Sequence, residues 1–432
     1  MPKLLQYLME KLQLNNFRCF TELEISFRKN VNLFIGDNSS GKSTLIAALT
    51  KVLNSFFIGF SDENTVFTGL SKNDFSIREN NNGLTNERPI VVNFSFQGVN
   101  ATLELRSKKS RTLQTPLIPI YGIGQAMYQN MFNEDEKQVL SLPVFGSFST
   151  KDIHTTRKTS PKKFRAYAQK PSFGYYECLQ GDGFLSYWTK RLLVLREGNR
   201  GQTEIIGVVR ALVDALGPEG CNILVDISIR PNQGEVYFIF TDGREINTDG
   251  LSDGYRRLVN IIMDIAFRCM LLNQGIHGER ACKLTRGTVL IDEIDLHLHP
   301  SLQALVIKGF QNAFPLVQLI ATTHAPLIMS GIPDDANNII HKLSFDQQER
   351  NYSVKEMDLY GMDASTIMEI AQRTIPRDKT VDKNLKALFE LIEDEHYDKA
   401  KEQLHKMQEE FGDNLPDLAR ANSMLDFLTD NE

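Results

Sequence analysis

The octapeptide Gly36-Asp37-Asn38-Ser39-Ser40-Gly41-Lys42-Ser43 constrains this chain more than any other part of it. It fits G-x-x-x-x-G-K-[ST] at every fixed position. Glycines let a backbone curl its N–H groups around an anion with no Cβ in the way. A short apolar run, Val31 to Ile35, feeds the loop, and after Lys42 the pattern turns helical, with Leu45, Ala48, Leu49 and Val52 at spacings of three and four. That order puts the partial positive charge of a helix N-terminus at the loop. The segment is predicted to be a phosphate site on an α/β fold, with Lys42 neutralising the β- and γ-phosphates and Ser43 a ligand of Mg²⁺. The bland alternative is a glycine turn between strand and helix, but the flanking pattern is the context the motif requires.

Two other apolar runs, Thr288 to Ile291 and Val317 to Ala321, read as central parallel strands covered on both faces. The first ends in Asp292-Glu293. There Asp292 is expected to hold Mg²⁺ through water and Glu293 to orient or deprotonate an attacking water. Adjacent acids at a strand end are common surface decoration, and only the phosphate loop gives these a role. The second run ends in Thr322-Thr323-His324. His324 would sit at the strand end where α/β folds place ligands, within reach of a γ-phosphate, although a lone histidine is more often a solvated or core residue. Leu251-Ser252-Asp253-Gly254-Tyr255 opens a helix whose face is marked by Leu258, Ile261, Ile262, Ile265 and Cys269. Helix capping alone would explain Ser252. Its hydroxyl with Gly254 also makes a second anion site, but one that can serve a nucleotide only when another subunit presents it.

The 432 residues divide by pattern into a first lobe (1–105), a less regular insertion (106–210), a second lobe (211–375) and a helical tail (376–432). Hairpins are predicted at Pro89–Phe96 with Ala101–Leu105 and at Ile223–Ile229 with Glu235–Thr241. Ile118–Gly122 and Leu142–Gly146 each resemble a short buried strand. Net charge is −6, so any nucleic-acid contact must come from a local patch. Two basic clusters qualify: Arg106, Lys108, Lys109 and Arg111, and seven Lys/Arg against one Asp over 151–170. A solvated loop would carry the same composition. The tail carries 15 acidic against 8 basic residues from Arg377 onward. It shows two apolar stripes, Leu385/Leu388/Phe389/Ile392 and Tyr397/Ala400/Leu404/Met407/Phe411. Five scattered cysteines form no Cys-x-x-Cys pair, which disfavours a disulfide framework or structural zinc. No membrane span or signal peptide is read, and a reducing, cytoplasmic location is expected.

The four elements, in this order, resemble the ABC-type ATPases over roughly residues 10–60 and 220–335. Gly36–Ser43 is similar to their Walker A motif, Leu251–Tyr255 to the signature, Asp292–Glu293 to Walker B and His324 to the switch histidine. The signature departs from L-S-G-G-Q at Asp253 and Tyr255. Asn16-Phe17-Arg18-Cys19-Phe20 and the run Ile291 to Pro300, with its Leu298-His299-Pro300 ending, are similar to the RecF/SMC/OLD-like branch. The resemblance implies a P-loop ATPase head, a mixed sheet plus an antiparallel β subdomain, carrying a middle insertion and a C-terminal α-helical tail. It implies ATP and Mg²⁺ as cofactors, with Glu293 and His324 catalytic and Ser43 and Asp292 on the metal. Gly36, Asn38, Ser39, Gly41, Lys42, Ser43, Thr44 and Arg18 would hold nucleotide, joined by Ser252 and Gly254 of a second subunit. Asp295 to His299 would cross the dimer interface. Gln125 and Gln114 are both candidates for the Q-loop glutamine.

No heptad run between Walker A and the signature fits SMC-type arms. Only 108 residues follow His324, without the clustered D-x-D of a Toprim domain. The remaining features resemble stand-alone ATPases of bacterial antiphage operons, foremost the PtuA ATPases of the Septu system, which pair with an HNH nuclease. The AriA ATPases of the PARIS system, paired with a Toprim nuclease, and RecF-like repair ATPases acting directly on DNA are the alternatives. The resemblance thus implies slow or nucleotide-gated ATP hydrolysis in a sensor or scaffold that controls a separate nuclease. It also implies at least a head-to-tail dimer, allows DNA contact, and disfavours a membrane transporter.

Overall fold

The computed structural model describes residues 7–80, 83–132, 140–150, 170–181, 183–199, 201–348, 350–374, 377–412 and 415–429. The basic stretch 151–169 and Pro376 lie outside the described residues. The chain forms two compact units, one through Ala364 and one from Ser365. Strands of the first unit are β1 (Met9–Phe17), β2 (Phe20–Ser26), β3 (Val31–Ile35), β4 (Ile77–Asn80), β5 (Gly83–Asn86), β6 (Ile90–Phe96), β7 (Val99–Leu105) and β8 (Val144–Phe148). They continue as β9 (Leu224–Arg230), β10 (Glu235–Phe240), β11 (Glu245–Asn247), β12 (Gly287–Ile291), β13 (Val317–Thr322), β14 (Asn338–Asp346) and β15 (Asn351–Met357). Its helices are α1 (Lys42–Asn54), α2 (Ile118–Phe132), α3 (Leu185–Glu197), α4 (Gln202–Leu216), α5 (Asp253–His277), α6 (Ala281–Leu284), α7 (Pro300–Gln303), α8 (Val306–Ala313) and α9 (Pro326–Met329).

The central sheet has the order β15-β14-β3-β13-β12-β8. Five strands run parallel and β15 closes one edge antiparallel to β14. Every residue of β3, β8, β12 and β13 is buried, which is why they read as unbroken apolar runs. A second sheet, β2-β1-β6-β7, is antiparallel, and β6 alternates buried and half-buried positions. Strands β9, β10 and β11 form a third, and β4 with β5 a hairpin. The α/β P-loop ATPase head with an antiparallel β subdomain is therefore present. Strand β8, from the segment between 106 and 210, is an edge strand of the central sheet.

One expected strand is a helix. Ile118–Gly122 opens α2, because Pro119 in the first helical turn gives up no hydrogen bond. Apolar residues confined to five positions could not separate the two periods. Another expectation needs amending: the stretch from α5 through α6 is long and apolar enough to cross a membrane by composition. Some 78% of its most apolar window is nonetheless buried inside the protein, as in a core helix. Arg268 of α5, 1% exposed, donates to Asp264 (2.6 Å) and to the carbonyls of Gly174 (2.8 Å) and Tyr176 (3.0 Å). Trp188 Nε1 donates to the same Asp264 at 2.6 Å. This network fixes segment 170–181 and α3 on α5, and each member satisfies another's polar groups.

The second unit carries α10 (Ala364–Gln372), α11 (Lys379–Glu393), α12 (Tyr397–Phe411) and α13 (Pro416–Thr429). Asp378 caps α11 by accepting from Thr380 and Val381 N–H. Both sequence stripes are spent inside the unit. Leu385, Leu388 and Ile392 pack with Ala400, Leu404 and Met407 and with Leu418, Ala421 and Leu425 of α13.

His341 in β14 is 2% exposed, stacks on Phe34 at 4.8 Å, and neither ring nitrogen has a hydrogen-bond partner. Burial pushes its imidazole down to about 4; the nearby Ser26 backbone works against this and Arg28 adds to it. The folded state thus stays neutral where the unfolded chain protonates. Stability is complete above the ordinary histidine value near 6.5 and falls as pH drops toward 4, by about 3 kcal/mol in all. Between pH 7.5 and 5, the urea midpoint of wild type should fall more than that of His341→Phe. Equal shifts would show that His341 is protonated in the folded protein.

Candidate functional site

The strand order gathers the site. Strands β3, β13 and β12 are adjacent and parallel, so the loops after them open at one edge of the sheet. These loops carry Gly36–Ser43, His324 and Asp292–Glu293. In the first, Gly41 (φ +97°) is the residue before α1, which has no side-chain cap. A Cβ there would lie 2.5 Å from the Phe20 ring, so only glycine lets the loop pass. Lys42 is buried and its Nζ donates to the carbonyls of Gly36 (2.7 Å) and Asp37 (2.9 Å). The Ser40 hydroxyl is buried with no partner, while Asn38, Ser39 and Ser43 are exposed along the loop. Uncapped helix N–H groups, an orphaned hydroxyl and an ammonium fit a phosphate chain. Burial pushes the Lys42 ammonium down, and Asp292, Glu293, Asp37 and Asp295 pull it back.

Asp292 is 6% exposed and Thr322 holds it in place. The Thr322 hydroxyl donates to Asp292 Oδ1 at 2.7 Å and accepts from Glu293 N–H at 2.7 Å. Glu293 has φ +51°, a conformation rare for a non-glycine residue and here fixed by that bond. Thr323 donates to Asp295 at 2.6 Å. The Asp292 carboxylate and the exposed Ser43 hydroxyl are oxygen donors of the kind that suit Mg²⁺. Burial and then the Lys42 charge push the His324 imidazole down, against Asp295, Glu293 and Asp37. His324 is therefore neutral at neutral pH and able to donate one hydrogen bond and accept another.

Ser252 stands at the N-cap position of α5, exposed, and its side chain makes no capping bond. Capping therefore does not account for the serine. Gly254 is buried, and a Cβ on it would lie 2.4 Å from the His297 carbonyl, so α5 and the Asp295–His299 loop touch within one chain. His299 caps α7 by accepting from Ser301 N–H, a structural role. Among the described residues no cluster of His, Cys, Asp and Glu suits a metal on its own. Arg18 forms a salt bridge of 2.8 Å to the fully buried Asp74. Thr44 lies against Cys19 beside the loop. Gln125 lies on α2 and Gln114 just before it.

Sequence reasoning assigned no role to Thr322 or Arg257. Arg257, buried on α5, donates to the Asp292 carbonyl at 2.7 Å and leaves Nη1 unpaired. Burial pulls its guanidinium down while Asp295, Glu293 and Asp292 hold it up. Its only sequence signal is a cation directly before the apolar face that starts at Leu258.

A family model described as "AAA domain" matches residues 11–192. A second, "AAA domain, putative AbiEii toxin, Type IV TA system", matches 154–330. The chain is 24% identical to the "Retron Vc95 probable ATPase" of Vibrio cholerae serotype O1 biovar El Tor, covering 84% of this chain and 79% of that one. It is 39% identical to the Septu protein PtuA of Bacillus mycoides over 100 residues, 23% of this chain and 13% of that protein. Among solved structures, the recombination mediator protein RecF has a TM-score of 0.40 at 12% identity, covering 82% of this chain and 98% of that one. The site, the two family models and the curated relatives support an ABC-type ATPase of the RecF/SMC/OLD-like branch. The chain is similar to Septu PtuA proteins and to retron ATPases.

Thr322→Val keeps the shape and removes the bridge, leaving the Glu293 N–H and the Asp292 carboxylate one partner short. We expect a loss of about 1–3 kcal/mol in stability and at least a tenfold loss in ATP turnover. A variant that melts and turns over like wild type would show that the bridge positions nothing.

Proposed function

We propose that the chain binds ATP with Mg²⁺ at Gly36–Ser43 and hydrolyses it slowly, as the nucleotide-gated sensor or scaffold subunit of an antiphage complex that controls a separate nuclease. The observation that carries this reading is the convergence of the phosphate loop, Asp292–Glu293 and His324 on three adjacent strand ends. In it, the loop amides from Asn38 to Thr44 and the Lys42 ammonium hold the phosphates, and Ser43 and Asp292 hold the metal. The metal would supply charge neutralisation at the phosphates. Glu293 takes a proton from water and His324 hydrogen-bonds the terminal phosphate. Likeness to Septu PtuA and retron ATPases supports the antiphage role, and the proposal includes a cytoplasmic location and an HNH-type nuclease as partner. The exposed Lys/Arg cluster at 106–111 and the stretch 151–170 allow contact with DNA. A genome in which no nuclease gene adjoins this one would count against the partner.

Lys42→Ala should abolish ATP binding, because the phosphate charge loses its counter-ion. Glu293→Gln should bind ATP as wild type does and turn over at least ~10²-fold more slowly, since only the water-activating group is gone. Equal ATP affinity in wild type and Lys42→Ala, measured by calorimetry, would remove the site assignment.

The free Ser252 hydroxyl at the start of α5 supports an active unit of at least a head-to-tail dimer, with Ser252 and Gly254 facing the loop of another chain. Lys42→Ala and Ser252→Arg should each be inactive alone. Mixed, they should recover part of the turnover, because one composite site then carries neither lesion. No recovery in a mixture shown to co-assemble would refute the arrangement in trans.

A further inference from the structure

The hairpin of β14 and β15 places aromatic rings at the rim of the phosphate loop. We infer that Phe345 and Tyr352 form the surface on which the base of the bound nucleotide packs. This rests on the reading that Gly36–Ser43 holds the phosphates.

Sheet order sets the direction. Glu293 and His324 follow β12 and β13, on one side of β3, so the terminal phosphate belongs on that side. A nucleotide whose phosphates lie over the loop after β3 then points its base the other way, toward β14 and β15. There the Tyr352 hydroxyl lies 3.5 Å from the Ser39 carbonyl, and the side chain also meets Cys19, which in turn meets Thr44. Tyr352 packs edge-on against Phe20 at 5.2 Å, and Phe20 is the ring that borders Gly41. On its other side Tyr352 meets Phe345 at 4.8 Å, tilted by 47°. The three rings thus run without a break from the loop to solvent. Phe20 is fully buried, Tyr352 half-buried, and Phe345 is 44% exposed.

A single exposed phenylalanine is ordinary. This one differs in being held by a ring that is itself held by the loop. Aromatic faces accept any purine or pyrimidine, because every base has a π-face, so the class of ligand is a nucleobase without strong discrimination among bases. The contribution expected from such stacking is about tenfold in affinity.

The test is calorimetric titration of the full chain with Mg-ATP and, separately, with inorganic tripolyphosphate, which has no base. Phe345→Ala should weaken ATP about tenfold and leave tripolyphosphate within about twofold. Tyr352→Ala should move ATP the same way. Lys42→Ala should weaken both ligands. Fluorescence of 2-aminopurine riboside triphosphate should be quenched on binding to wild type and less so in Phe345→Ala, a readout independent of turnover. ATP binding unchanged in Phe345→Ala but lost in Lys42→Ala overturns the base surface alone. An equal loss of ATP and tripolyphosphate in Phe345→Ala also overturns it, because the ring would then support the loop. If Lys42→Ala alters neither ligand, the phosphate reading fails and this one falls with it.

Discussion

Lys42 is a buried cation, and the site is arranged around keeping it charged. Burial alone would favour the neutral amine. Its ammonium instead donates to two carbonyls of its own loop and lies within the field of Asp37, Asp292, Glu293 and Asp295. Three of those carboxylates come from residues 292–295, far from the loop in sequence, and reach it only because β12 lies one strand away from β3 across β13. The sheet order is therefore an electrostatic requirement as much as a packing one. Acids crowded at one edge repel one another, and Lys42 and Arg257 are the cations that offset them.

Helix α5 ties this edge to the rest of the unit. Near its start, Gly254 touches the His297 carbonyl and Arg257 binds the Asp292 carbonyl. Farther along, Asp264 and Arg268 anchor Trp188 and the segment 170–181. A displacement of the exposed Ser252 end would act on the strand end that carries Asp292 and Glu293 through two direct contacts. Charged groups inside a core are costly unless paired, and Arg268 is fully satisfied by Asp264 and two carbonyls. Arg257 is not: its Nη1 is buried and unpaired.

What could be read in advance follows from where the information lies. The phosphate loop was legible because glycine, lysine and serine at fixed spacing are a local demand of the backbone, and Gly41 shows it with its positive φ. Strands β12 and β13 were legible because burial on both faces leaves unbroken apolar runs. Residues 118–122 misled because Ile118, Ile120 and Tyr121 with Pro119 and Gly122 fit a short strand as well as a first helical turn. Thr322 and Arg257 were illegible for another reason. A threonine at a strand end and an arginine in a helix are ordinary residues, and only the neighbouring strand makes them partners of Asp292 and Glu293. Arg18 was named for nucleotide, yet its bond to Asp74, 56 residues away, depends on tertiary structure. Ser252 shows the converse: the sequence allowed capping, and the geometry withholds it.

The tail poses a problem of surfaces. Its apolar stripes pack on one another: Leu385, Leu388, Ile392, Ala400, Leu404 and Met407 are consumed in a bundle completed by α13. What remains outside is largely acidic, since this unit carries more negative charge than the chain's net −6, with Ile370 and Phe427 as exposed apolar side chains among it. Recognition through such a surface would draw little on hydrophobic burial. It would instead rest on long-range attraction to a basic partner, which speeds encounter and fades once salt shortens the Debye length to about 8–10 Å. A contact of that kind suits association that can be made and released, whereas a permanent subunit interface needs apolar area that these helices have already spent on one another.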